Sequence, residues 1–156
     1  MALSKKKSRT LVNNRSAGYE YHIEERIEAG MVLTGTEIKS LRMGKASLRE
    51  SYARIRDGEI FLYGMNIAPY ERGNIYNVDS LRPRKLLLNR REIRMLTEQV
   101  QQEGRTIIPL RVYLNDQGRA KIEIALARGK KLYDKRETIA KKDVERRMRQ
   151  HVQKEL

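Results

Sequence analysis

Acidic side chains are concentrated in one stretch near the start of the chain, EYHIEERIEAG. Glu20 and Glu24 would share one face of a strand, where two carboxylates could work as an acid/base pair. A solvated strand face that balances nearby Arg and Lys is the simpler interpretation, and we prefer it. Among these acids Glu28 is the strongest candidate for a functional role, because it precedes Ala29-Gly30. We predict a bulge or bend there, and bulges change the direction of side chains.

Other catalytic patterns are weak. Residues 30–35 have the glycine spacing of a P-loop, but Thr36-Glu37 stands where Lys-Ser/Thr is required. His22 and His151 lie on different predicted elements, which argues against a His-based metal site; we expect His22 to be a half-buried strand residue. There is no Cys, and no serine has a convincing base nearby. The sequence therefore predicts no catalytic residue, no metal site and no cofactor.

Basic and aromatic residues give a stronger indication. Two clusters of basic residues stand out: Lys39, Arg42 and Lys45 at a predicted helix, and Arg82, Arg84 and Lys85 farther along. Tyrosine supplies eight of the nine aromatic residues. Tyr rings stack unpaired bases and cations hold phosphates, so this composition favours RNA binding. For most of the tyrosines, half-burial on strands is the simpler explanation.

The charge distribution supports the same interpretation. The formal net charge is +14, and residues 1–15 contribute +5 while residues 128–156 contribute +6. A nearly balanced body with two basic ends is the electrostatic footprint of a phosphate binder. No apolar run reaches the roughly 18 residues of a membrane span, and no apolar segment follows the basic start as in a secretory signal. The absence of Cys fits a reducing compartment.

Two hairpins are the clearest structural prediction. Alternating runs meet at Asp57-Gly58, a pair that favours a type I′ turn. A second hairpin turns over residues 115–118, and its inward residues are predicted to be Leu110, Val112 and Leu114 opposite Ile122, Ile124 and Leu126, with Arg111, Tyr113, Lys121 and Glu123 on the other face. Between the hairpins, the spacing of Ile93, Leu96 and Val100 predicts an amphipathic helix that exposes Arg90, Arg91 and Arg94.

The remaining elements complete the predicted fold. A strand with alternating Tyr19, Tyr21 and Ile23 begins at Gly18, and a short helix follows over Thr36–Met43 with Thr36 as its N-cap. Residues 68–81 are the best candidate for a long mobile loop. At least five strands, mostly in hairpins, favour a mainly β fold with peripheral helices: a small antiparallel OB-like β-barrel. We predict a disordered basic arm (1–12), the barrel (13–128) and a basic C-terminal tail (129–156).

The tail has a narrow apolar stripe, formed by Ala140, Val144, Met148, Val152 and Leu156. A spacing of four residues drifts around a helix, and the stripe is only one residue wide. Such a polar helix is marginal in water. We therefore expect the tail to be mostly disordered alone and to become helical on a surface that supplies negative charge and some apolar contact.

Long blocks of the sequence resemble the family of the SsrA-binding protein SmpB. They are GTEIKSLRMGKASLRESYARIRDGEIFLYGMNIAPY, RPRKLLLNRREI and ARGKKLYDKRE, in the family's order, with NNRSAGYEYHIEERIEAG before them. The resemblance covers nearly the whole chain after about Asn13. It implies an OB-like barrel, in agreement with the pattern, and a non-enzymatic RNA-binding protein of the bacterial cytoplasm.

The family resemblance also implies partners and a role. The expected partners are the tRNA-like domain of transfer-messenger RNA and the ribosome, chiefly small-subunit rRNA. Elongation factor Tu would be reached only indirectly, through the aminoacylated RNA, and no membrane is involved. The complex would enter ribosomes stalled on messages without a stop codon, for trans-translation and tagging of the nascent chain. The tail would become helical there, in the decoding centre and the empty message channel.

Family positions can be carried over residue by residue. The resemblance implies RNA-binding residues Asn13, Arg15, Glu28, Lys39, Arg42, Leu87 and Lys121. It implies decoding-centre residues Gly129, Lys130, Lys131, Tyr133, Asp134, Lys135 and Arg136. Two positions depart from the pattern: many relatives carry His in place of Tyr133 and Trp in place of Val144.

Three other classes of protein remain open from the sequence. An integral ribosomal protein would also be a small basic barrel with tails. A nuclease would use Glu20 or Glu24 with a metal ion. A peripheral membrane protein is the poorest fit, because the tail stripe contains no Trp or Phe and makes a weak interfacial helix.

Overall fold

A computed structural model describes residues 9–102, 104–130 and 146–147. The strands are β1 (Arg9–Asn13), β2 (Tyr21–Met31), β3 (Ala46–Ser47), β4 (Tyr52–Arg56), β5 (Glu59–Tyr63), β6 (Asn66–Ile67), β7 (Arg84–Leu87), β8 (Arg105–Leu114) and β9 (Ala120–Gly129). The helices are α1 (Ala17–Glu20), α2 (Gly35–Arg42) and α3 (Arg90–Val100), with a 3₁₀ turn at Asn74–Tyr76.

The main sheet closes on itself. Its strand order is β1-β8-β4-β5-β7-β2-β9. An additional β8–β9 pairing closes six of these strands into a ring, and β1 lies outside the ring as a further neighbour of β8. All of the pairings are antiparallel. Closure removes most exposed sheet edges, which is the reason the sequence pattern favoured a barrel. The predicted mainly β barrel with peripheral helices is confirmed.

The two predicted hairpins are present. Asp57 and Gly58 join β4 to β5 with φ of 52° and 76°, and Arg56 pairs with Glu59. Positive φ at both turn residues is the type I′ geometry that was predicted. In the second hairpin Leu114 pairs with Ala120, so the loop is one residue longer than the predicted 115–118.

Irregularities in two strands correct the predictions for their faces. The register shifts between Pro109 and Arg111, so Leu110 packs with a small outer cluster around Ala17 instead of the main core. Strand β2 shifts its register between Ile23 and Glu25, and the bulge predicted at Ala29-Gly30 is absent. The extra residue is Glu24, inside β2, and the predicted start of this strand at Gly18 lies in α1.

The chain before β2 also differs from the prediction. The predicted disordered arm includes residues 9–12, but these residues form most of β1, which pairs with β8 from Arg9 opposite Leu114 to Asn13 opposite Arg111. Val12 is 8% exposed and belongs to the core, so its burial ties the segment to the barrel. The rest of the predicted arm, residues 1–8, lies outside the described residues.

Two helices cover opposite ends of the barrel. Leu41 of α2 and Leu96 of α3 are both fully buried in the barrel core. Arg105, which starts β8, bonds Gln99 of α3, whereas Gly118, just after β8, lies beside Arg42 of α2. The predicted Arg90, Arg91 and Arg94 are exposed on α3.

The start of α2 corrects the predicted N-cap. Thr34, not Thr36, caps the helix: its hydroxyl accepts from the Glu37 N–H, and the Glu37 carboxylate accepts from the Thr34 N–H. This reciprocal pair is a capping box, which satisfies two backbone donors at once. The helix therefore begins at Gly35.

No helix in the described part of the chain is long and apolar enough to cross a membrane.

Candidate nucleic-acid interface

Strand register brings several predicted RNA-binding residues together on the outside of the barrel. Leu87 of β7 lies opposite Gly30 of β2, and a Cβ on Gly30 would lie 3.3 Å from the Leu87 Cβ. Gly30 in turn lies opposite Lys121 of β9, and Lys121 opposite Tyr113 of β8. These four residues form one continuous row across four strands.

A second row runs beside the first. Glu28 lies opposite Glu123, Glu123 opposite Arg111, and Arg111 opposite Asn13. Residues two apart on a strand point to the same face, so both rows project outward together. We call them the barrel face: Asn13, Glu28, Gly30, Leu87, Arg111, Tyr113, Lys121 and Glu123. Four of the seven predicted RNA-binding residues, Asn13, Glu28, Leu87 and Lys121, lie on it.

Tyr113 organises the charges of the barrel face. It is only 6% exposed, it lies close enough to the Glu28 carboxylate to feel its charge, and the Arg111 guanidinium lies 4.3 Å from the ring centroid. Burial, with the negative charge of Glu28, raises the pKa of the phenol well above its usual value. The phenol therefore stays protonated at neutral pH and can donate to Glu28.

The other carboxylate of the face is neutralised by arginines. Glu123 Oε1 lies 3.3 Å from Nη1 of Arg26, and its Oε2 lies 3.6 Å from Nε of Arg111. Glu28 is exposed, and Leu87 exposes 52% of its surface. The face thus presents an oriented carboxylate, a lysine and an uncovered apolar side chain within two rows of residues.

The predicted residues of α2 border the barrel face. Arg42 is exposed, and its Nη2 would lie 3.7 Å from a Cβ on Gly118, in the loop that leads into Lys121. Lys39 is also exposed, and its Nζ lies 5.3 Å from the ring centroid of Tyr70. The helix therefore adds two cations, one beside the β8–β9 loop and one beside the loop between β6 and β7.

Arg15 is placed apart from this group. It follows β1 and lines a groove of about 400 Å³ together with Asn13, Ser47 and Arg49. The Asn14 N–H donates to the Leu110 carbonyl over 2.8 Å. Arg15 is exposed, so its position suits a contact at the margin of the barrel face.

Arg82, Arg84 and Lys85 were predicted to bind phosphate, and for the two arginines this prediction is wrong. Arg84 is fully buried, and its Nε donates to Oε2 of Glu37 over 2.8 Å. Arg82 also donates to Glu37, with its Nε 3.2 Å from Oε2. Lys85 is paired on the surface with Glu59 over 3.0 Å.

Glu37, Arg82 and Arg84 form what we call the buried charge cluster. Burial alone raises the pKa of Glu37, but hydrogen bonds from Arg82, the Thr34 N–H and Arg84 outweigh it and lower the pKa below its usual range. Arg84 also donates to the carbonyls of Met65 and Ser80. The cluster ties α2 to the β6–β7 loop and to β7. The one sequence signal for this cluster is the position of Glu37 three residues after Thr34, as in a capping box.

Glu20, His22 and Glu24 lie around the start of β2. Glu24 is bound by Arg105 over 3.1 Å and by Arg128 over 3.3 Å, which confirms a solvated strand face balanced by arginines. Glu20 lies in α1, so it does not share a strand face with Glu24. His22 is exposed rather than half-buried. The described residues contain no group of His, Asp or Glu placed to hold a metal ion.

The start of the predicted tail is fixed to the barrel. Gly129 is the last residue of β9. The Lys130 N–H donates to the Glu20 carbonyl over 2.9 Å, and Lys130 Nζ donates to the Gly18 carbonyl over 2.9 Å. The other predicted tail residues lie outside the described residues: Lys131, Tyr133, Asp134, Lys135, Arg136, Ala140, Val144, Met148 and Val152.

A closed antiparallel barrel, capped by two helices and carrying a net charge of +14, places the protein among the small basic OB-like barrels, a class that commonly contacts oligonucleotides. A profile of the family described as SmpB protein matches residues 11–154. The chain belongs to the SmpB family.

Individual relatives agree with the family match. The SsrA-binding protein of Acetivibrio thermocellus is 53% identical over 153 residues, which cover 96% of this chain and 99% of that protein. The SsrA-binding protein of Syntrophomonas wolfei is 57% identical over 138 residues, covering 88% and 87%. A solved chain described as "tmRNA-SmpB: a journey to the center of the bacterial ribosome" is 51% identical, with a TM-score of 0.66 and coverage of 77% and 84%.

Proposed function

We propose that this protein binds the tRNA-like domain of transfer-messenger RNA and delivers it to stalled ribosomes for trans-translation. One observation carries the proposal. Strand register gathers Asn13, Glu28, Leu87 and Lys121, which match the family's RNA-binding positions, onto one face of the barrel. The relatives called SsrA-binding proteins support the choice of RNA.

Each side chain of the barrel face suits a different part of an RNA. Lys121, with Arg42 nearby, can hold backbone phosphates. Glu28 would repel phosphate, so its oxygens suit base N–H groups or a ribose 2′-hydroxyl, which are donors. Leu87 offers apolar contact to a base or sugar. Tyr113 holds the Glu28 carboxylate in one orientation, so less conformational entropy is lost when RNA binds.

The tail has a separate role in this proposal. From Lys131 onward it would occupy the decoding centre and empty message channel, where its basic residues meet rRNA phosphates. The two hydrogen bonds of Lys130 to the chain around α1 fix where the tail leaves the barrel. Elongation factor Tu would be reached only through the aminoacylated RNA. The protein would make no covalent change to the RNA.

A deletion of residues 131–156 tests this division of roles. It keeps the hydrogen bonds of Lys130, so the barrel remains intact. We expect affinity for the tRNA-like domain to survive and tagging of peptides on stalled ribosomes to be lost. The matched variant Lys121→Ala should instead weaken RNA binding. It should also reduce the salt slope, the steepness with which log K for RNA binding falls with log salt concentration, by about 0.7–0.9.

Two outcomes would contradict the proposal. A parallel collapse of RNA affinity and tagging in the deletion variant would make the tail part of the RNA-binding surface. Stoichiometric retention of the intact protein on all ribosomes after a high-salt wash would indicate an integral ribosomal protein instead.

A further inference from the structure

The loop between β6 and β7 is a built element that packs on α2. The Tyr70 N–H donates to Oδ1 of Asn77, and Nδ2 of Asn77 donates to the Tyr70 carbonyl, both over 2.9 Å. Gly73 is buried, and a Cβ there would lie 2.9 Å from Cγ2 of Thr36. The Thr36 hydroxyl donates to the Tyr76 carbonyl over 3.2 Å. Because Gly73 has no side chain, the backbone of the loop can pack directly against Thr36 of the helix.

An open notch of about 600 Å³ lies between this loop and the first turns of α2. Its size falls within the range of about 300–1,000 Å³ that is usual for small-ligand sites. Lys39 lines the helix side, and Tyr70, Arg72 and Tyr76 line the loop side. We call this the Tyr76 notch.

The Tyr76 notch combines uncovered aromatic surface with positive charge. Tyr76 is 75% exposed, although its backbone is fixed by hydrogen bonds on both sides. Lys39 and Arg72 are exposed cations, and none of the described lining residues is acidic. The nearby carboxylate of Glu71 lies 3.7 Å from Lys45. Exposed rings beside cations are the arrangement that stacks unpaired bases and holds their phosphates.

The anion-binding groups of the notch are side chains rather than the end of the helix. Thr34 and Glu37 already satisfy each other's backbone N–H groups in the capping box. The Glu37 carboxylate is turned inward to Arg82 and Arg84. A bound phosphate would therefore meet Lys39 and Arg72 without a competing acid at the helix start.

We propose that the Tyr76 notch receives one unpaired nucleotide of the bound RNA. The base stacks on the Tyr76 ring, and Lys39 and Arg72 hold the flanking phosphate. This inference rests on the proposed function, because the nucleotide belongs to the same RNA. The Tyr76 notch is then a second contact region, outside the barrel face, which recognises an extrahelical base by its shape.

Binding of the tRNA-like domain to the full-length protein at several salt concentrations tests the notch. We expect Tyr76→Ala to weaken binding about 5- to 150-fold with an unchanged salt slope, because stacking is not ionic. Tyr76→Trp should retain affinity, since it keeps a stacking ring. Arg72→Ala should lower the salt slope by about 0.7, the value for one single-stranded phosphate.

Ile75→Ala is the matched control. Ile75 is the neighbouring residue and is 87% exposed, but it does not line the notch, so its replacement should leave affinity unchanged. Equal losses for Ile75→Ala and Tyr76→Ala would overturn the proposal, as would wild-type affinity for both Tyr76→Ala and Arg72→Ala. A loss confined to ribosome association would also overturn it and would assign the notch to a ribosomal contact.

Ultraviolet crosslinking distinguishes failure of the notch from failure of the proposed function. We expect a crosslink between Tyr76 and a single RNA position, identified by mass spectrometry and absent in Tyr76→Ala. If the wild-type protein binds the RNA but Tyr76 never crosslinks and its variants bind normally, only the notch is refuted. If the wild-type protein does not bind the tRNA-like domain, the proposed function itself is wrong.

Discussion

Glu37 and Glu28 are two carboxylates in opposite surroundings. Glu37 is 4% exposed and is bound by two arginines, one of them fully buried. Glu28 is exposed and lies beside the phenol of Tyr113. The hydrogen bonds of Glu37 stabilise the fold, whereas the exposed carboxylate of Glu28 can accept hydrogen bonds from a partner molecule.

Net charge alone does not locate a binding surface. Arg82 and Arg84 looked like phosphate ligands in the sequence, yet both are committed to Glu37. A buried charge is tolerated only when it is paired, so removing one member of the buried charge cluster leaves the others uncompensated. A change at the barrel face should affect RNA affinity more than folding.

Replacing Glu37 with Gln should have the largest effect on stability. Arg84 would keep its charge in a site with no exposure, so we expect the free energy of unfolding to fall by about 3–5 kcal/mol. Urea unfolding measures this loss. Glu28→Gln, the same chemical change at an exposed position, should cost less than about 1 kcal/mol. Equal costs would remove the distinction between the two carboxylates.

Acid should weaken the buried charge cluster specifically. The pKa of folded Glu37 lies below the ordinary value of 4.5. Its contribution is therefore complete above about pH 4.5 and is lost as the pH falls through the lower folded value. Stability measured from pH 6 down to pH 2 should decline less steeply in Glu37→Gln than in the wild type. Identical slopes would show that Glu37 does not carry the acid sensitivity.

Tyr113→Phe tests whether the phenol positions Glu28. Loss of one hydrogen bond should lower the free energy of unfolding by about 0.5–1.5 kcal/mol and RNA affinity by about two- to tenfold. The salt slope should not change, because no cation is removed. Tyr52→Phe, on the ring that stacks with Tyr63 at 5.7 Å, is the control and should leave RNA affinity as it is. If both variants bind alike, Tyr113 has no positioning role.

Lys85→Ala should have the smallest effect. The Lys85 side chain is 41% exposed and pairs with the Glu59 side chain, which is 52% exposed. Such surface pairs contribute about 0–1 kcal/mol. Its neighbour Arg84 is fully buried, so Arg84→Ala should cost several times more. Urea unfolding of the two variants therefore compares adjacent cations, one buried and one on the surface. Similar losses would mean that burial does not separate them.

Local patterns accounted for much of the fold. The Asp57-Gly58 turn, the second hairpin and the helix with Leu96 were predicted because each depends on residues close in sequence. The errors fall where distant contacts prevail. Ala17 packs with Ile108 of β8 and with Ala125 and Ala127 of β9, so α1 replaced the predicted start of β2. Val12 joined the core, so β1 replaced part of the arm.

The candidate site divides in the same way. The sequence alone determined the charge, the turns and the alternation that puts Lys121 and Tyr113 on one face of a hairpin, because these are properties of neighbouring residues. Only the tertiary structure decided that Glu28 and Leu87 join them, that Glu37 binds Arg82 and Arg84, and that Tyr76 stays exposed beside Lys39. Those contacts depend on ring closure and burial, which no short stretch of sequence contains.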